Sequence, residues 1–235
     1  MNKLTIAAAI CAALCVSPAQ ARKKPEPTPA KPAPYASTYQ AIASAPVLIQ
    51  NATVLTGTGE RLDNADVLMQ DGKIQAVGKA LSPPGNAKII NGAGKWVTPG
   101  IIDVHSHLGV YANPGIQATS DGNEATNAVT ANVWAEHSVW PQDAGFAKAL
   151  AGGVTSMQIL PGSANLVGGR SVILKNVAAT TFQAMKFPDA PYGIKMACGE
   201  NPKRVYGEKG GPSTRMGNMA GYRAAFIGAA ASRRT

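Results

Sequence analysis

The sequence has few cysteines, few charged residues and no apolar run long enough to cross a bilayer. Three of its 235 residues are cysteine, and Cys11 and Cys15 both lie within residues 1–21. Once that segment is set aside, Cys198 is left without an intramolecular disulfide partner. The apolar run from Leu4 to Val16 is shorter than the ~20 residues that a transmembrane helix needs. We therefore predict no transmembrane segment.

The first part of the chain is not expected to belong to a folded domain. Residues 1–21 combine a basic start, an apolar run and small residues before Arg22, which is typical of a secretory signal peptide. Residues 22–46 begin with a proline-rich stretch that predicts an extended tether, and residues 22–35 are not expected to pack. The mature protein is therefore expected in the periplasm or outside the cell.

The formal net charge of +9 is unevenly distributed along the chain. Residues 36–188 contain nine cationic and nine anionic side chains, whereas residues 189–235 contain eight and three. A basic surface can indicate nucleic acid or an anionic surface as the partner, but an exported protein rarely meets nucleic acid. We therefore predict no nucleic-acid partner, and the sequence leaves the oligomeric state open.

Two regions of different secondary structure are predicted after the tether. Residues 47–98 contain short β-prone runs separated by turns, with Asp71-Gly72 as a hairpin signal, and they predict a small antiparallel β unit. Residues 99–235 alternate predicted strands with predicted helices, which favours a parallel sheet in a β/α barrel or a doubly wound fold. The strands are expected at 101–105, 154–160, 171–174 and 192–197, and the helices at 124–134, 143–151 and 217–231.

The chemistry is concentrated in the segment from Pro99 to His107. Residues i, i+2 and i+4 of a strand point to one side, so Asp103, His105 and His107 are expected on one face. Both faces of a parallel sheet are usually buried, and buried imidazoles are costly unless they are hydrogen-bonded or bind a metal. The apolar Ile101-Ile102 start of the strand favours the metal-binding interpretation over a polar edge strand.

The sequence Val97-Thr98-Pro99-Gly100-Ile101-Ile102-Asp103-Val104-His105-Ser106-His107 resembles the first barrel strand of the metal-dependent amidohydrolase superfamily, which includes dihydroorotase-like and imidazolonepropionase-like enzymes. Residues 51–55 and 71–78 resemble the small β-sandwich that precedes the barrel in those enzymes. Residues 152–156 and 161–169 are similar to the second barrel unit and its loop. The resemblance implies a β-sandwich at 47–98, followed by part of a (β/α)8 barrel at 99–235.

The resemblance also implies a hydrolase of amide or cyclic amide C–N bonds, with one or two divalent metal ions, zinc foremost, at the carboxyl ends of the barrel strands. His105 and His107 would bind metal, and Asp103 would orient an imidazole through its ring N–H or serve as an ordinary buried acid. Some members use a bridging carboxylated lysine or glutamate, and we favour Glu200 over Lys195 because Glu200 follows the strand end. The alternative role for Glu200 is a surface ion pair.

Two further residues are candidates for contact with a small amide or peptide substrate. Asn165 and Arg170 flank the glycine-rich loop at 168–169 and could bind a substrate carbonyl or carboxylate. Their alternative role is to hold the loop. His137, the third histidine, is expected to be a surface or packing residue.

The chain is expected to be the N-terminal portion of such an enzyme. The 137 residues from Pro99 to Thr235 are about half of the ~250 that a complete barrel takes. The family pattern requires two further histidines and a late aspartate, but His137 is the only other histidine and the late aspartate is missing. Two functions are therefore possible: a secreted metal-dependent hydrolase whose 235-residue chain alone is inactive, or a non-catalytic remnant with a weak metal site.

Overall fold

The structure is a computed structural model that describes residues 35–233. The predicted signal peptide and most of the predicted tether lie outside the described residues. The strands are β1 (Val47–Leu55), β2 (Arg61–Gln70), β3 (Lys73–Gly78), β4 (Lys88–Asn91), β5 (Trp96–Val97), β6 (Ile101–Ser106), β7 (Val154–Ile159), β8 (Val167–Arg170), β9 (Val172–Lys175) and β10 (Ile194–Met196). The α-helices are α1 (Ala144–Ala151), α2 (Phe182–Met185), α3 (Glu200–Tyr206) and α4 (Arg215–Ser232). Short 3-10 helices cover Gln117–Thr119, Ala135–Ser138 and Gly207–Lys209.

The first five strands form one mixed sheet in the order β3-β2-β1-β4, with β5 also paired to β1. The predicted hairpin is present, because Asp71 and Gly72 both adopt positive φ angles and join β2 to β3. The prediction of an antiparallel unit is wrong for two of the pairs, since β4 and β5 run parallel to β1. The chain between β1 and β4 is long enough to return to the same end of the sheet, which allows a parallel pair.

The second region contains the barrel-like part of the fold. β6 pairs with β7 in parallel, as predicted, and α1 lies between them in sequence. The expectation of a parallel sheet fails beyond this pair, because β9 is antiparallel to β7 and β10 is antiparallel to β8. The expected burial of both faces of β6 also fails, since Ile102 and Val104 are each 68% exposed.

Helix α1 forms where the sequence predicts it. The carboxylate of Asp143 caps its N terminus by accepting a hydrogen bond from the Gly145 N–H at 2.9 Å. The helix ends at Gly152, and Gly153 adopts a φ of +91°, which favours glycine. Phe146 from this helix packs into the main core with residues of β7 and β9. The helix thus packs against β7 and β9 through Phe146.

The predicted helix at 124–134 does not form. Val129 and Trp134 instead make isolated parallel bridges to Val167 and Arg170 of β8. Ala128 and Val129 pack against a small cluster that contains Leu166 and Tyr222. The apolar residues that suggested a helix are therefore partly buried by an irregular segment with two turns, because tertiary contacts outweigh a weak local propensity.

The described end of the predicted tether packs against the barrel region, which corrects the expectation for Tyr35. Its ring lies 4.9 Å from that of His137, and its carbonyl oxygen accepts a hydrogen bond from Lys186. Ser37 donates to the Lys186 carbonyl at 2.6 Å. Within residues 35–233, no helix is both long and apolar enough to span a membrane.

Candidate metal centre

The two histidines of the H-x-H motif lie together at the carboxyl end of β6. The β-branched residues of Ile101–Ser106 favour a strand, and pairing with β7 holds it in place. The ring centroids of His105 and His107 are 5.2 Å apart and their planes are nearly perpendicular. Both imidazoles therefore lie on the same side of the strand, as the two-residue period of a strand predicts.

A hydrogen bond determines which nitrogen of His107 is available to a ligand. Nδ1 of His107 lies 2.8 Å from the carbonyl oxygen of Leu160, the residue that follows β7. A carbonyl can only accept, so Nδ1 is the donor of this bond, and in the neutral imidazole Nε2 then keeps its lone pair. A backbone carbonyl on the second ring nitrogen is a common way to orient a metal-binding histidine.

Lys195 of β10 is the third functional side chain at this position. Its Nζ lies 3.2 Å from Nε2 of His105, and the residue is 8% exposed. Burial lowers the pKa of the Lys195 amine, because removal from water disfavours the charged form. Antiparallel pairing of Lys195 with Gly169 in β8 places β10 here.

The structure does not bring Glu200 to the histidines, which corrects our preference for it over Lys195. Glu200 is exposed at the first position of α3. In the described range, no group of three or more His, Cys, Asp or Glu side chains could hold a metal ion. The strand ends at Met196, four residues before Glu200, so the chain has already turned away from the strand end.

Of the two roles expected for Asp103, its contacts match that of an ordinary hydrogen-bonded acid, although the residue is only half-buried. Its Oδ1 accepts a hydrogen bond from the backbone N–H of His105 at 3.0 Å, and no imidazole N–H is bonded to it within residues 35–233. Successive residues on one side of a strand are close enough for a short side chain to reach the backbone. Asp103 therefore supports the backbone at His105.

Asn165 and Arg170 hold the loops around the site. Asn165 is 1% exposed, and its Nδ2 donates to the carbonyl oxygens of Glu124 and Asn127 at 2.7 and 2.8 Å. The guanidinium of Arg170 lies 4.3 Å from the centroid of the Trp134 ring. These contacts match the loop-holding alternative, and contact of either residue with a substrate stays a prediction.

His137 lies apart from the two metal-site histidines, as the sequence suggested. Its ring stacks on Trp134 at a centroid distance of 6.2 Å and meets Tyr35 edge-on. Its side chain is 47% exposed. It is therefore a packing residue at the surface and a useful control for the site.

Tyr111 is a residue of the site that the sequence analysis missed. Its ring lies 5.8 Å from that of His107, and Asn123 donates a hydrogen bond to its hydroxyl. Burial raises the pKa of the Tyr111 hydroxyl, so it stays protonated at neutral pH. Its position four residues after His107 was the available signal, because loops after barrel strands commonly carry functional side chains.

Known proteins similar to this chain are amidohydrolases. No protein-family model matches the chain. The amidohydrolase tasK of Hapsidospora irregularis is 36% identical over 208 residues, which are 77% of this chain and 21% of that protein. A dihydroorotase of Trichlorobacter lovleyi is 27% identical over 144 residues, which are 60% of this chain and 28% of that enzyme.

A solved amidohydrolase from Thermotoga maritima MSB8 superposes with a TM-score of 0.73 and 43% sequence identity. The match covers 80% of this chain and 48% of that structure. This chain therefore spans about half the length of the solved relative and a smaller part of the two others.

Proposed function

Because this chain belongs to the metal-dependent amidohydrolase superfamily, we propose that it carries part of the active site of a hydrolase of amide or cyclic amide C–N bonds. The observation that carries the proposal is the convergence of His105, His107 and Lys195. The rings are 5.2 Å apart, and the lysine nitrogen is 3.2 Å from one of them. His105 and His107 lie at the carboxyl end of β6. Lys195 lies in β10, 90 and 88 positions further along the chain.

The donor set fits a divalent ion. Two neutral imidazoles are favoured zinc ligands, and the Leu160 carbonyl leaves Nε2 of His107 free to bind. A divalent ion bound there would act as a Lewis acid and lower the pKa of water at the site. Zinc is our proposed metal, since imidazole nitrogen and carboxylate oxygen suit it.

Lys195 would complete the site as a carbamate. The lone pair of the neutral amine attacks the carbon of carbon dioxide and forms an N–C bond. The electron pair of one C–O π bond moves onto oxygen, and the nitrogen loses a proton to solvent, which leaves a carbamate anion. The product places an anionic oxygen pair where the amine now approaches His105. This residue takes the bridging role that the sequence analysis gave to Glu200.

The other residues position the reacting groups. The Leu160 carbonyl sets the orientation of His107, and Asp103 holds the backbone N–H of His105. Tyr111, with its hydroxyl protonated, could donate a hydrogen bond toward a substrate carbonyl beside His107. Among residues 35–233, no carboxylate joins the histidines, so we assign no general base to this part of the chain.

That lack of a third His, Cys, Asp or Glu favours a second candidate function, a non-catalytic protein with a weak metal site. Catalytic zinc sites typically have three protein ligands. The two candidates differ in turnover. The test needs the rest of the active site, so the zinc-loaded chain is complemented by the second half of a related amidohydrolase barrel. Ring opening of a cyclic amide, or release of the amino acid from an N-acyl amino acid, by the complemented protein supports the hydrolase, and zinc binding without turnover in that protein supports the second candidate.

The metal assignment is tested by elemental analysis after dialysis against zinc. We expect the variant His105→Ala plus His107→Ala to lose most of the bound zinc, and Lys195→Ala to lose part of it. His137→Ala is the matched control, because this histidine packs on Trp134 and should leave zinc content unchanged. Unchanged zinc in the double variant contradicts the assignment.

We also propose export of the protein, which residues 1–21 support by their composition. N-terminal sequencing of protein from the periplasm or medium should start at Arg22. A start at Met1 in that fraction contradicts the proposal.

A further inference from the structure

A cavity of about 320 Å³ opens beside His107. Its polar lining consists of His107, Tyr111, Asn123, Ser163, Asn201 and Arg204. Because His107 belongs to the proposed metal centre, the part of a substrate next to the scissile bond would lie in this cavity. Its volume suits a small molecule.

Arg204 is the one charged side chain with a fixed charge in this lining. It lies three positions after Asn201 in α3, so both residues project from the same side of the helix. Among the contacts of residues 35–233, Arg204 has no ion pair and no side-chain hydrogen bond. The guanidinium is therefore available to an anionic ligand.

The neutral polar groups of the wall are already bonded to one another. Asn201 donates to the Ser163 hydroxyl at 2.6 Å. Asn123 donates to Tyr111 and accepts from the backbone N–H of Ala164 at 3.0 Å. These bonds fix the shape of the wall, and the exposed guanidinium of Arg204 is left without a protein partner among the described residues.

The neighbouring cavity has the opposite charge. It has a volume of about 420 Å³, shares Asn123 with the first cavity and is lined by Asp121 and Glu124. An anion is disfavoured beside two carboxylates and favoured beside a guanidinium. The charge difference therefore directs an anionic group to the side of Arg204.

We propose that the substrate carries a carboxylate in addition to the scissile amide, and that Arg204 binds this carboxylate. The inference rests on the proposed function for the location of the scissile bond. A guanidinium can donate two parallel N–H bonds to a carboxylate, and such charge-assisted pairs are stronger than neutral ones. Arg204 thereby selects acidic substrates over neutral ones of the same shape.

The test compares N-acetylglycine with its neutral analogue N-acetylglycinamide by isothermal titration at low ionic strength. Metal is first removed with a chelator, which is then dialysed away, so that neither bound metal, turnover nor a competing carboxylate contributes. We expect the unmodified chain to bind the acid about tenfold more tightly than the amide, as a charge-assisted hydrogen bond would give. Arg204→Gln should remove this preference, and Arg204→Lys should keep part of it.

Lys203→Gln is the matched control, since it removes one positive charge from the adjacent residue, which does not line the cavity. It should keep the preference. Equal affinity of the unmodified chain for both ligands, tighter binding of inorganic phosphate than of N-acetylglycine, or equal losses in the two Gln variants would overturn the inference.

The outcome is separable from that of the metal test. An Arg204-dependent preference in a chain whose zinc content does not depend on His105 and His107 would overturn the proposed function and leave carboxylate binding standing. Histidine-dependent zinc without the preference would overturn only the role of Arg204.

Discussion

Asp143 links the loop that follows the two histidines to the start of α1. Its carboxylate accepts hydrogen bonds from the backbone N–H groups of Gly109, Asn113 and Gly145 and from the side chain of Asn113. Burial alone would raise the pKa of Asp143, but these four bonds outweigh it and lower the pKa. The charged form of this residue therefore stabilises the loop next to His107.

We expect Asp143→Asn to lower the free energy of unfolding by about 2 kcal/mol at pH 7, since a helix cap and loop bonds weaken together. The sign of the pH effect follows from the lowered pKa: the unfolded chain binds the proton first as pH falls. Stability is thus present above the unfolded value of ~3.9 and is lost as pH falls through the folded pKa. Urea titrations between about pH 5 and pH 2.5, on both sides of the unfolded pKa, measure this loss. The unfolding free energy of Asp143→Asn should lack the part of the pH dependence that comes from Asp143.

Asp121→Asn is the matched control, because Asp121 is exposed and its side chain has no hydrogen bond within the described residues. It should change the unfolding free energy by less than about 0.5 kcal/mol. Parallel pH curves for the unmodified chain and Asp143→Asn would contradict the role of Asp143.

Another polar group joins three secondary-structure segments inside the barrel region. Glu136, in the 3-10 helix Ala135–Ser138, is fully buried, and its carboxylate lies 2.7 Å from Nζ of Lys186, just after α2. The hydroxyl of Tyr192, two residues before β10, donates to the same carboxylate at 3.0 Å. Burial is the largest cause that raises the pKa of Tyr192, so its hydroxyl remains a donor.

Breaking this pair should be costly, because the remaining charge would be buried without a partner. We expect Glu136→Gln or Lys186→Met to lower the free energy of unfolding by about 3–5 kcal/mol. The double variant should lose less than the sum of the two single variants. Thermal and urea unfolding of the four proteins measures these differences.

The exposed pair Arg61–Asp63 provides the control. Its atoms are 3.0 Å apart, but both side chains are more than half exposed. Asp63→Asn should cost less than about 1 kcal/mol. Similar losses at Asp63 and Glu136 would show that burial does not govern the strength of the Glu136–Lys186 pair.

Several large apolar side chains are exposed in the described part of the chain. Ile102 and Val104 on β6 are each 68% exposed. On α4, Phe226 and Ile227 are 62% and 65% exposed. Exposed apolar surface of this kind favours association, and β6 lies at an edge of its sheet, where backbone groups on one side have no strand partner among the described residues.

We expect the 235-residue chain to associate in a concentration-dependent way, measured by sedimentation equilibrium. Phe226→Gln plus Ile227→Gln should shift the association to higher concentration, because it removes apolar surface without changing charge. Ile42→Gln plus Ile74→Gln is the control, since these residues are also exposed but lie away from α4. Equal shifts in both double variants would mean that α4 is not a specific contact.

The sequence alone was sufficient for the features that depend on neighbouring residues. The Asp71-Gly72 hairpin, the capped helix α1 and the shared side of His105 and His107 all follow from local backbone geometry and side-chain periodicity. The resemblance of residues 97–107 to the amidohydrolases was confirmed by the related proteins. Local patterns of this kind need no knowledge of what packs beside them.

Features that join distant parts of the chain required the folded structure. Whether Lys195 or Glu200 meets His105 depends on the pairing of β10 with β8, and no local pattern specifies that pairing. The segment at 124–134 is irregular and not helical because Asn165, far along the chain, donates hydrogen bonds to two of its carbonyl groups, and these contacts outweigh helix propensity. Arg204 lines the cavity beside His107 for the same reason: its place is set by packing between segments about a hundred residues apart.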